Sequence, residues 1–258
     1  MTQLLNLNAD LGESFGPWPM GSDDAILRIV NSANVACGFH AGDPLVMFNT
    51  VALARQHGVS IGAHPAYPDL QGFGRRRMDI PLGELEAMLI YQIGALEACA
   101  RAHGQRVSHV KPHGALSNVA CADRKVADAV ARAVYRLDPA LILLAPAASQ
   151  LIAAGRDQGL PVVEEVFADR AYMDDGNLVP RSQPGAMIHG AEASLLHVKR
   201  MVEESALISI NGKRISVNPQ SICVHGDNAD AVATAQTIKE GLVKLGFRFV
   251  VIPELLTG

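Results

Sequence analysis

One short apolar run after another in this chain gives way to side chains that can move protons or hold charge. The first runs into N-L-N-A-D-L-G-E, which supplies Asn6, Asn8, Asp10 and Glu13. The second ends in C-G-F-H-A-G-D, with His40 and Asp43, and the third in G-A-H-P, with His64. The fourth is V-K-P-H-G-A-L-S-N, with Lys111, His113 and Asn118. E-V-F-A-D-R brings Asp169 and Arg170, and C-V-H-G-D-N brings His225 and Asp227. Carboxylates and imidazoles suit general acid–base work, and Lys or Arg suits an oxyanion or a phosphate. Strand ends are partly buried, where an unpaired charge costs several kcal/mol, so solubility does not explain these residues.

Each has a plainer reading that competes. Asp43 and Asp227 equally suit N-caps of the helices that follow. His57 and His103 precede glycines near helix ends, where they read as caps or solvated groups. His109 begins a strand and reads as structural, while His189 and His197 lie in or beside a helical stretch and read as exposed. Cys37 and Cys223 read as small apolar fillers, with no obvious group to activate a thiolate. Arg75-Arg76-Arg77, after G-F-G, and Arg181, in L-V-P-R-S-Q-P-G, sit on long loops. Such arginines are either a solvated face or a cradle for a carboxylate or phosphate. The chain has no G-x-x-x-x-G-K-[ST] loop, so a familiar ATP cradle is missing.

The elements that must position these groups alternate. Strands are expected near Leu4–Asn8, Ala33–Ala36, Ser60–Ala63, His109–Lys111, Leu141–Ala145, Val162–Phe167, Ile222–His225 and Phe247–Ile252, short and rich in Val, Ile and Leu. Helical patterns separate them. One opens at Pro81 and closes before Gly104, with Leu85, Met88, Leu89, Gln92, Ile93 and Leu96 mainly on one face. Another spans about Asp230 to Leu245, with Gly246 as its stop. This alternation predicts an α/β fold, a seven- or eight-stranded (β/α) barrel, with a doubly wound sheet as the alternative. In a barrel the carboxyl ends of the strands share one face, which would gather Asp10, His40, His64, Lys111 and His225 around one pocket. Two long segments interrupt the rhythm, Pro65–Ile80 and Ala171–Ile188, and residues 207–217 read as an outer hairpin turning at Asn211-Gly212.

Composition narrows the class. A chain of 258 residues with 49% hydrophobic side chains fills one core, so residues 1–258 are expected to form a single barrel domain. A net charge of −4 without a broad basic face argues against nucleic acid. No signal-peptide pattern and no apolar run of about 20 residues is present, which argues against export and a membrane span. Four cysteines without a C-x-x-C pair fit a reducing cytoplasm.

Long stretches of these motifs, among them N-L-N-A-D-L-G-E-S-F-G, S-A-N-V-A-C-G-F-H-A-G-D-P, G-A-H-P-A-Y-P-D-L-Q-G-F-G-R-R-R-M, V-K-P-H-G-A-L, E-V-F-A-D-R, V-P-R-S-Q-P-G-A and I-C-V-H-G-D-N, resemble the LamB/YcsF family of 5-oxoprolinase A subunits. They span residues 6 to 228, nearly the whole chain. The resemblance implies a distorted (β/α) barrel of the glycoside hydrolase/deacetylase type. It implies ATP-dependent hydrolysis of 5-oxo-L-proline to L-glutamate, ADP and phosphate, and two partners, subunits B and C, without which little turnover is expected. Departures are few: Ala9 stands where the family often has Cys, and Ser117 where it often has Tyr.

A five-membered lactam is a stable amide, and phosphorylating its oxygen makes the carbonyl carbon electrophilic. That path needs cations for phosphate and oxyanion, for which Lys111, Arg170 and the Arg75 loop are candidates. Asp10, Glu13, His40, His64 and Asp169 are candidates for proton transfer. Asn8, Asp43, Arg75, His113, Arg170, Arg181, His225 and Asp227 are candidates for substrate binding. Which member of the complex holds ATP, and whether a divalent metal takes part, stay open. Two rival readings remain: a metal-dependent amidase or deacetylase, against which the lack of an H-x-x-x-H pair counts, and a non-catalytic subunit that presents substrate.

Overall fold

The first strand sets the plan. In β1 (Leu4–Leu11) residues alternate L-N-L-N-A-D-L, so Leu5, Leu7, Ala9 and Leu11 share one face and Asn6, Asn8 and Asp10 the other. In the computed structural model, which describes residues 3–224 and 231–257, both faces of β1 are covered. The apolar set packs under surrounding helices, and the polar set points into the interior of a barrel.

The succession is β1, α1 (Asp23–Leu27), β2 (Ser32–Ala36), α2 (Pro44–Gln56), β3 (Ser60–His64), α3 (Leu82–Ala102), β4 (Val107–Val110), α4 (Gly114–Ala122), α5 (Arg124–Leu137) and β5 (Ile142–Pro146). It continues through α6 (Gln150–Gln158), β6 (Val162–Phe167), α7 (Ala191–Glu204), β7 (Ala206–Ile208), β8 (Arg214–Ser216), β9 (Ser221–Val224), α8 (Ala231–Lys244) and β10 (Arg248–Phe249). Strands β1 to β6 pair in sequence, all parallel, and β9 pairs with both β6 and β1. The ring therefore closes with seven strands.

The eighth candidate, Phe247–Ile252, contributes only two residues of strand. Leu4 and Leu5 of β1 pair with Arg248 and Phe249, but from Asn6 onward that edge of β1 is taken by β9. Without a free edge the chain leaves the sheet and turns into a short 3₁₀ helix, Ile252–Leu256, with Pro253 in its first turn. The expected hairpin is present outside the ring, with Leu207 opposite Ile215.

The barrel interior is polar and internally bonded. Asn6 Nδ2 donates to Ser32 Oγ and to the Val250 carbonyl, both at 2.8 Å, and Ser221 Oγ donates to Asn6 Oδ1 at 2.8 Å. One layer up, Asn8 Nδ2 donates to Glu165 Oε1 at 2.9 Å, and Asn34 Nδ2 donates to Asn8 Oδ1 at 2.7 Å. His109 completes this layer, with Nε2 3.1 Å from Asn34 Oδ1, and burial pushes its pKa down to about 3. It is structural, as expected, yet it fills the inside of the barrel. Gly62 makes room for it, because a Cβ there would collide with the ring.

Both long loops are folded onto the barrel. Gln92, on the apolar face of α3, accepts from the Ala66 amide at 2.9 Å and donates to the Ala66 carbonyl at 3.0 Å, which clamps the start of the 65–80 segment. Asp69 then ties Gly72 and Arg76 together. Gly74 has φ +63°, and a Cβ there would lie 2.8 Å from His40 Cβ and 2.9 Å from His113 Cδ2. Only glycine lets this loop close over the imidazoles. The 171–188 segment is pinned by Ala171 N to Ala186 O (3.0 Å) and Val179 N to Ala171 O (2.9 Å).

Candidate active site

At the carboxyl ends of the strands lies a cavity of about 710 Å³, within the ordinary range for small-molecule sites. Asp10, Glu13, His64, Lys111 and His113 form its floor. Strands β1, β3 and β4 deliver them, because parallel strands all open on the same side.

Lys111 is the centre of charge. Its Nζ lies 3.0 Å from Asp10 Oδ1, 3.0 Å from Glu165 Oε1 and 3.1 Å from Cys223 Sγ, and the side chain is 5% exposed. Burial opposes its charge, but Asp10, Cys223 and Glu165 together outweigh burial and hold its pKa well above that of an ordinary lysine. Glu165 is fully buried, and burial with the nearby Asp10 charge raises its pKa against the pull of Lys111. The Cys223 thiol is likewise pushed up by burial. Its sulfur accepts a hydrogen bond from Lys111 Nζ at 3.1 Å, so it is more than the small apolar filler that the sequence reading expects.

The imidazoles form a second group. His64 Nδ1 lies 2.7 Å from the Lys111 carbonyl and His113 Nε2 lies 2.8 Å from the Phe73 carbonyl. A carbonyl only accepts, so each of those nitrogens carries hydrogen. In the neutral tautomers His64 Nε2 and His113 Nδ1 then both present lone pairs, yet they face each other at 3.0 Å. This contact fits a positive species between them, a proton or a metal cation, with Asp10 Oδ2 3.3 Å from His64 Nε2. His113 itself is kept neutral by burial and by the neighbouring His40 and His64.

His40 stacks flat on His113, with ring centroids 3.8 Å apart, and points Nε2 at Glu13 Oε1 at 3.1 Å. One donor atom each from Glu13, His40, His64 and His113 falls within 4.8 Å of the others. Three imidazoles and a carboxylate are a donor set suited to Zn²⁺ or another first-row divalent ion. The ligands come from four different strand ends, so the absence of H-x-x-x-H carries no weight against a metal.

Other candidates fall elsewhere. Asn8 is fully buried beneath Lys111, within the barrel network, where no substrate reaches it. Asp43 is the N-cap of α2: Oδ1 accepts from the Leu45 and Val46 amides, and Oδ2 accepts from Gly16. Both its oxygens serve the backbone, so its plainer reading describes its place. Asp169 does not line the cavity; its charge acts on Arg170 and His197 instead. Arg75, Arg170 and Arg181 do line it, with Arg75 and Arg181 exposed and Arg170 buried. His225 and Asp227 lie outside the described residues. His197 is not exposed as expected: it is half-buried, with Nε2 3.0 Å from the Arg170 carbonyl.

Glu165 is the functional candidate that sequence reasoning misses. Its signal is a pair of glutamates inside the otherwise apolar β6, V-V-E-E-V-F. Alternation sends Glu164 outward to Arg156 and Glu165 inward to Lys111.

Comparison with known proteins places these residues in context. The model of the LamB/YcsF family matches residues 5–257. The 5-oxoprolinase A subunit of an Azoarcus species is 57% identical over 251 residues, 97% of this chain and 98% of that protein. The crystal structure of a lactam utilization protein from Thermus thermophilus superposes with a TM-score of 0.89 at 42% identity, covering 96% of this chain and 99% of that one. The catalytic domain of a peptidoglycan N-acetylglucosamine deacetylase from Eubacterium rectale, 12% identical with a TM-score of 0.53, covers 98% of this chain and 89% of that one and shares the fold alone.

Proposed function

The chain belongs to the LamB/YcsF family, and from that premise we propose that it is the lactam-opening subunit of a multi-subunit, ATP-dependent 5-oxoprolinase that converts 5-oxo-L-proline to L-glutamate. The observation that supports this most is the Asp10–Lys111 pair on the floor of a cavity, with the buried Glu165 behind Lys111 as its second carboxylate. Opening a lactam needs a base for water, a fixed positive charge for the developing oxyanion, and a proton for the departing ring nitrogen. Asp10, with His64 at 3.3 Å, is placed to take a proton from water. Lys111 is a permanently charged ammonium that the barrel holds rigid. Glu165 keeps that ammonium charged and aimed, so it acts through Lys111.

Without a P-loop in this chain, ATP use is assigned to the complex, whose other members are taken to be subunits B and C. The four cysteines are free thiols, in keeping with a reducing cytoplasm, and no described helix is long and apolar enough to cross a membrane. The experiment is an omission series. Supplied with 5-oxo-L-proline and ATP, the three subunits together should release glutamate, and this chain alone should release little or none. Glutamate at an undiminished rate without this chain would refute the assignment.

A second reading rests on the facing lone pairs of His64 and His113. A divalent ion held by Glu13, His40, His64 and His113 would supply Lewis-acid polarisation of a carbonyl. Around it, Asp10 and Lys111 keep the roles just given. Titration of the chelator-treated chain with Co²⁺ decides between proton and metal. Metal binding should give a saturable visible absorption at one ion per chain, weakened about tenfold or more in Glu13→Gln. No absorption up to millimolar Co²⁺ would refute the metal reading.

A further inference from the structure

The β7–β8 hairpin is not part of the ring, because β9 pairs directly with β6 and β1 and α7 already supplies the crossover from β6. Its base is nonetheless rooted in the core. Ala206 and Leu207 are fully buried, and Ile215 and Val217 pack against the same apolar cluster. The tip of the hairpin, residues 209–213, reaches the 171–188 segment. The Ile210 amide donates to the Tyr172 carbonyl at 2.8 Å, and Lys213 Nζ donates to the Asp174 carbonyl at 2.8 Å. Ser209 Oγ accepts from the Asn211 and Lys213 amides at 3.3 and 3.0 Å and itself donates to Asp174 Oδ1. Asn211 Nδ2 donates to Asp174 Oδ2 at 3.2 Å. Ser209 is buried, so its bond to Asp174 is shielded from water.

The residue after Asp174 faces the other way. Asp175 lines the cavity, and its two oxygens accept from the backbone amide and the side-chain amide of Asn177, each at 2.9 Å. The turn between closes through Met173 N to Asn177 O at 2.7 Å and Gly176 N to Met173 O at 3.0 Å. It rests on Ala148 at its far side, where a Cβ on Gly176 would lie 2.9 Å from the Ala148 Cβ. Met173, Asp175, Gly176, Asn177 and Leu178 all line the cavity. One wall of the cavity is therefore a turn without helix or long strand, held between a rooted hairpin and Ala148.

We propose that the hairpin is a buttress for this wall, and that Asp174 and Ser209 are positioning residues that set where the 173–178 turn stands. Neither lines the cavity, so both act through the turn. This role rests on the 5-oxoprolinase reading for its ligand. A segment with few bonds of its own opens at low free energy, and a ligand that needs the closed form binds in proportion to the closed fraction. Loss of the buttress then weakens ground state and transition state alike, which raises KM and spares kcat.

The test compares wild type with Asp174→Ala, Ser209→Ala and Asp174→Asn. The asparagine keeps an acceptor for Ser209, and Asn211 can turn its own amide to meet it. Hydrogen exchange of the full chain is read on peptides covering residues 171–179. Both alanine variants should exchange there about tenfold faster, as loss of a charge-assisted hydrogen bond predicts, with the barrel strands unchanged. In the reconstituted enzyme the KM for 5-oxo-L-proline should rise about tenfold while kcat stays within about threefold, and Asp174→Asn should restore both exchange and KM. Wild-type KM in both alanine variants overturns the role, whether or not exchange or melting changes, because the hairpin is then only structural. A fall in kcat at constant KM also overturns it, since the two residues would then act on the chemistry. If exchange follows the buttress but the wild-type reconstituted enzyme releases no glutamate, the buttress is upheld and the lactam reading fails.

Discussion

Lys111→Met should lower the melting temperature by roughly 10 °C and cut turnover of the reconstituted enzyme by about 10²-fold or more. The two effects have separate causes. Asp10 and Glu165 both approach Nζ at 3.0 Å in a site that water barely enters. Removing the ammonium leaves two buried carboxylates facing one another, and breaking a buried pair in this way costs about 3–5 kcal/mol. In a chain of this size each kcal/mol moves the melting point by about 2–4 °C. The loss of turnover reflects the missing charge at the developing oxyanion.

A second substitution separates the two. Glu165→Gln on top of Lys111→Met removes one of the opposed charges and keeps the shape. It should recover much of the lost melting temperature without recovering turnover. Recovery of both would make Lys111 purely structural. Wild-type kcat in a stably folded Lys111→Met variant would end its catalytic assignment. Calorimetric melting and steady-state glutamate release at saturating 5-oxo-L-proline read the two effects independently.

Much of this arrangement is legible in the residues. The alternation of Asn6, Asn8 and Asp10 with leucines announces a strand with one polar face, and the apolar face of α3 is plain from Leu85 to Leu96. Polar groups at successive strand ends converge because a parallel barrel allows little else: of the expected set Asp10, His64 and Lys111 do meet, joined by His113, while His40 is fully buried, stacked on His113, and does not line the cavity. Strand count is less legible. Phe247–Ile252 has the composition of a strand, but whether it pairs depends on how far β9 reaches along β1, which no local pattern encodes.

The site residues that escape the reading do so for definite reasons. A metal-competent set drawn from Glu13, His40, His64 and His113 has no short spacing to recognise, since its members are brought together by four strands. Glu165 hides because adjacent glutamates look solvated until one knows that both faces of β6 are covered. Asp43 follows a strand and precedes a helix, so a cap and a ligand look alike in sequence; three backbone amides at its carboxylate distinguish them. His197 is drawn inward by the Arg170 carbonyl, a contact 27 residues away along the chain.

Asp10→Asn should have the larger effect on chemistry and the smaller effect on the fold. The amide keeps the size of the carboxyl group and its contact with Asn34, whose Nδ2 now donates to Oδ1 at 2.9 Å. Lys111 retains Glu165 at 3.0 Å, so its ammonium is not left unpaired. What is lost is a group that accepts a proton from water and returns it, and such loss typically costs about 10²–10⁴-fold in rate. If Asp10 only oriented Lys111, the amide oxygen would serve nearly as well and the cost would be a few-fold.

The decisive measurement is therefore glutamate release from 5-oxo-L-proline and ATP by the enzyme reconstituted with subunits B and C, using wild-type chain, Asp10→Asn chain, or neither. The chemistry assigned to this cavity predicts that Asp10→Asn lowers glutamate release by about 10³-fold, toward the level without the chain, while melting stays within a few degrees of wild type. Glutamate released at the wild-type rate by a folded Asp10→Asn chain would contradict it.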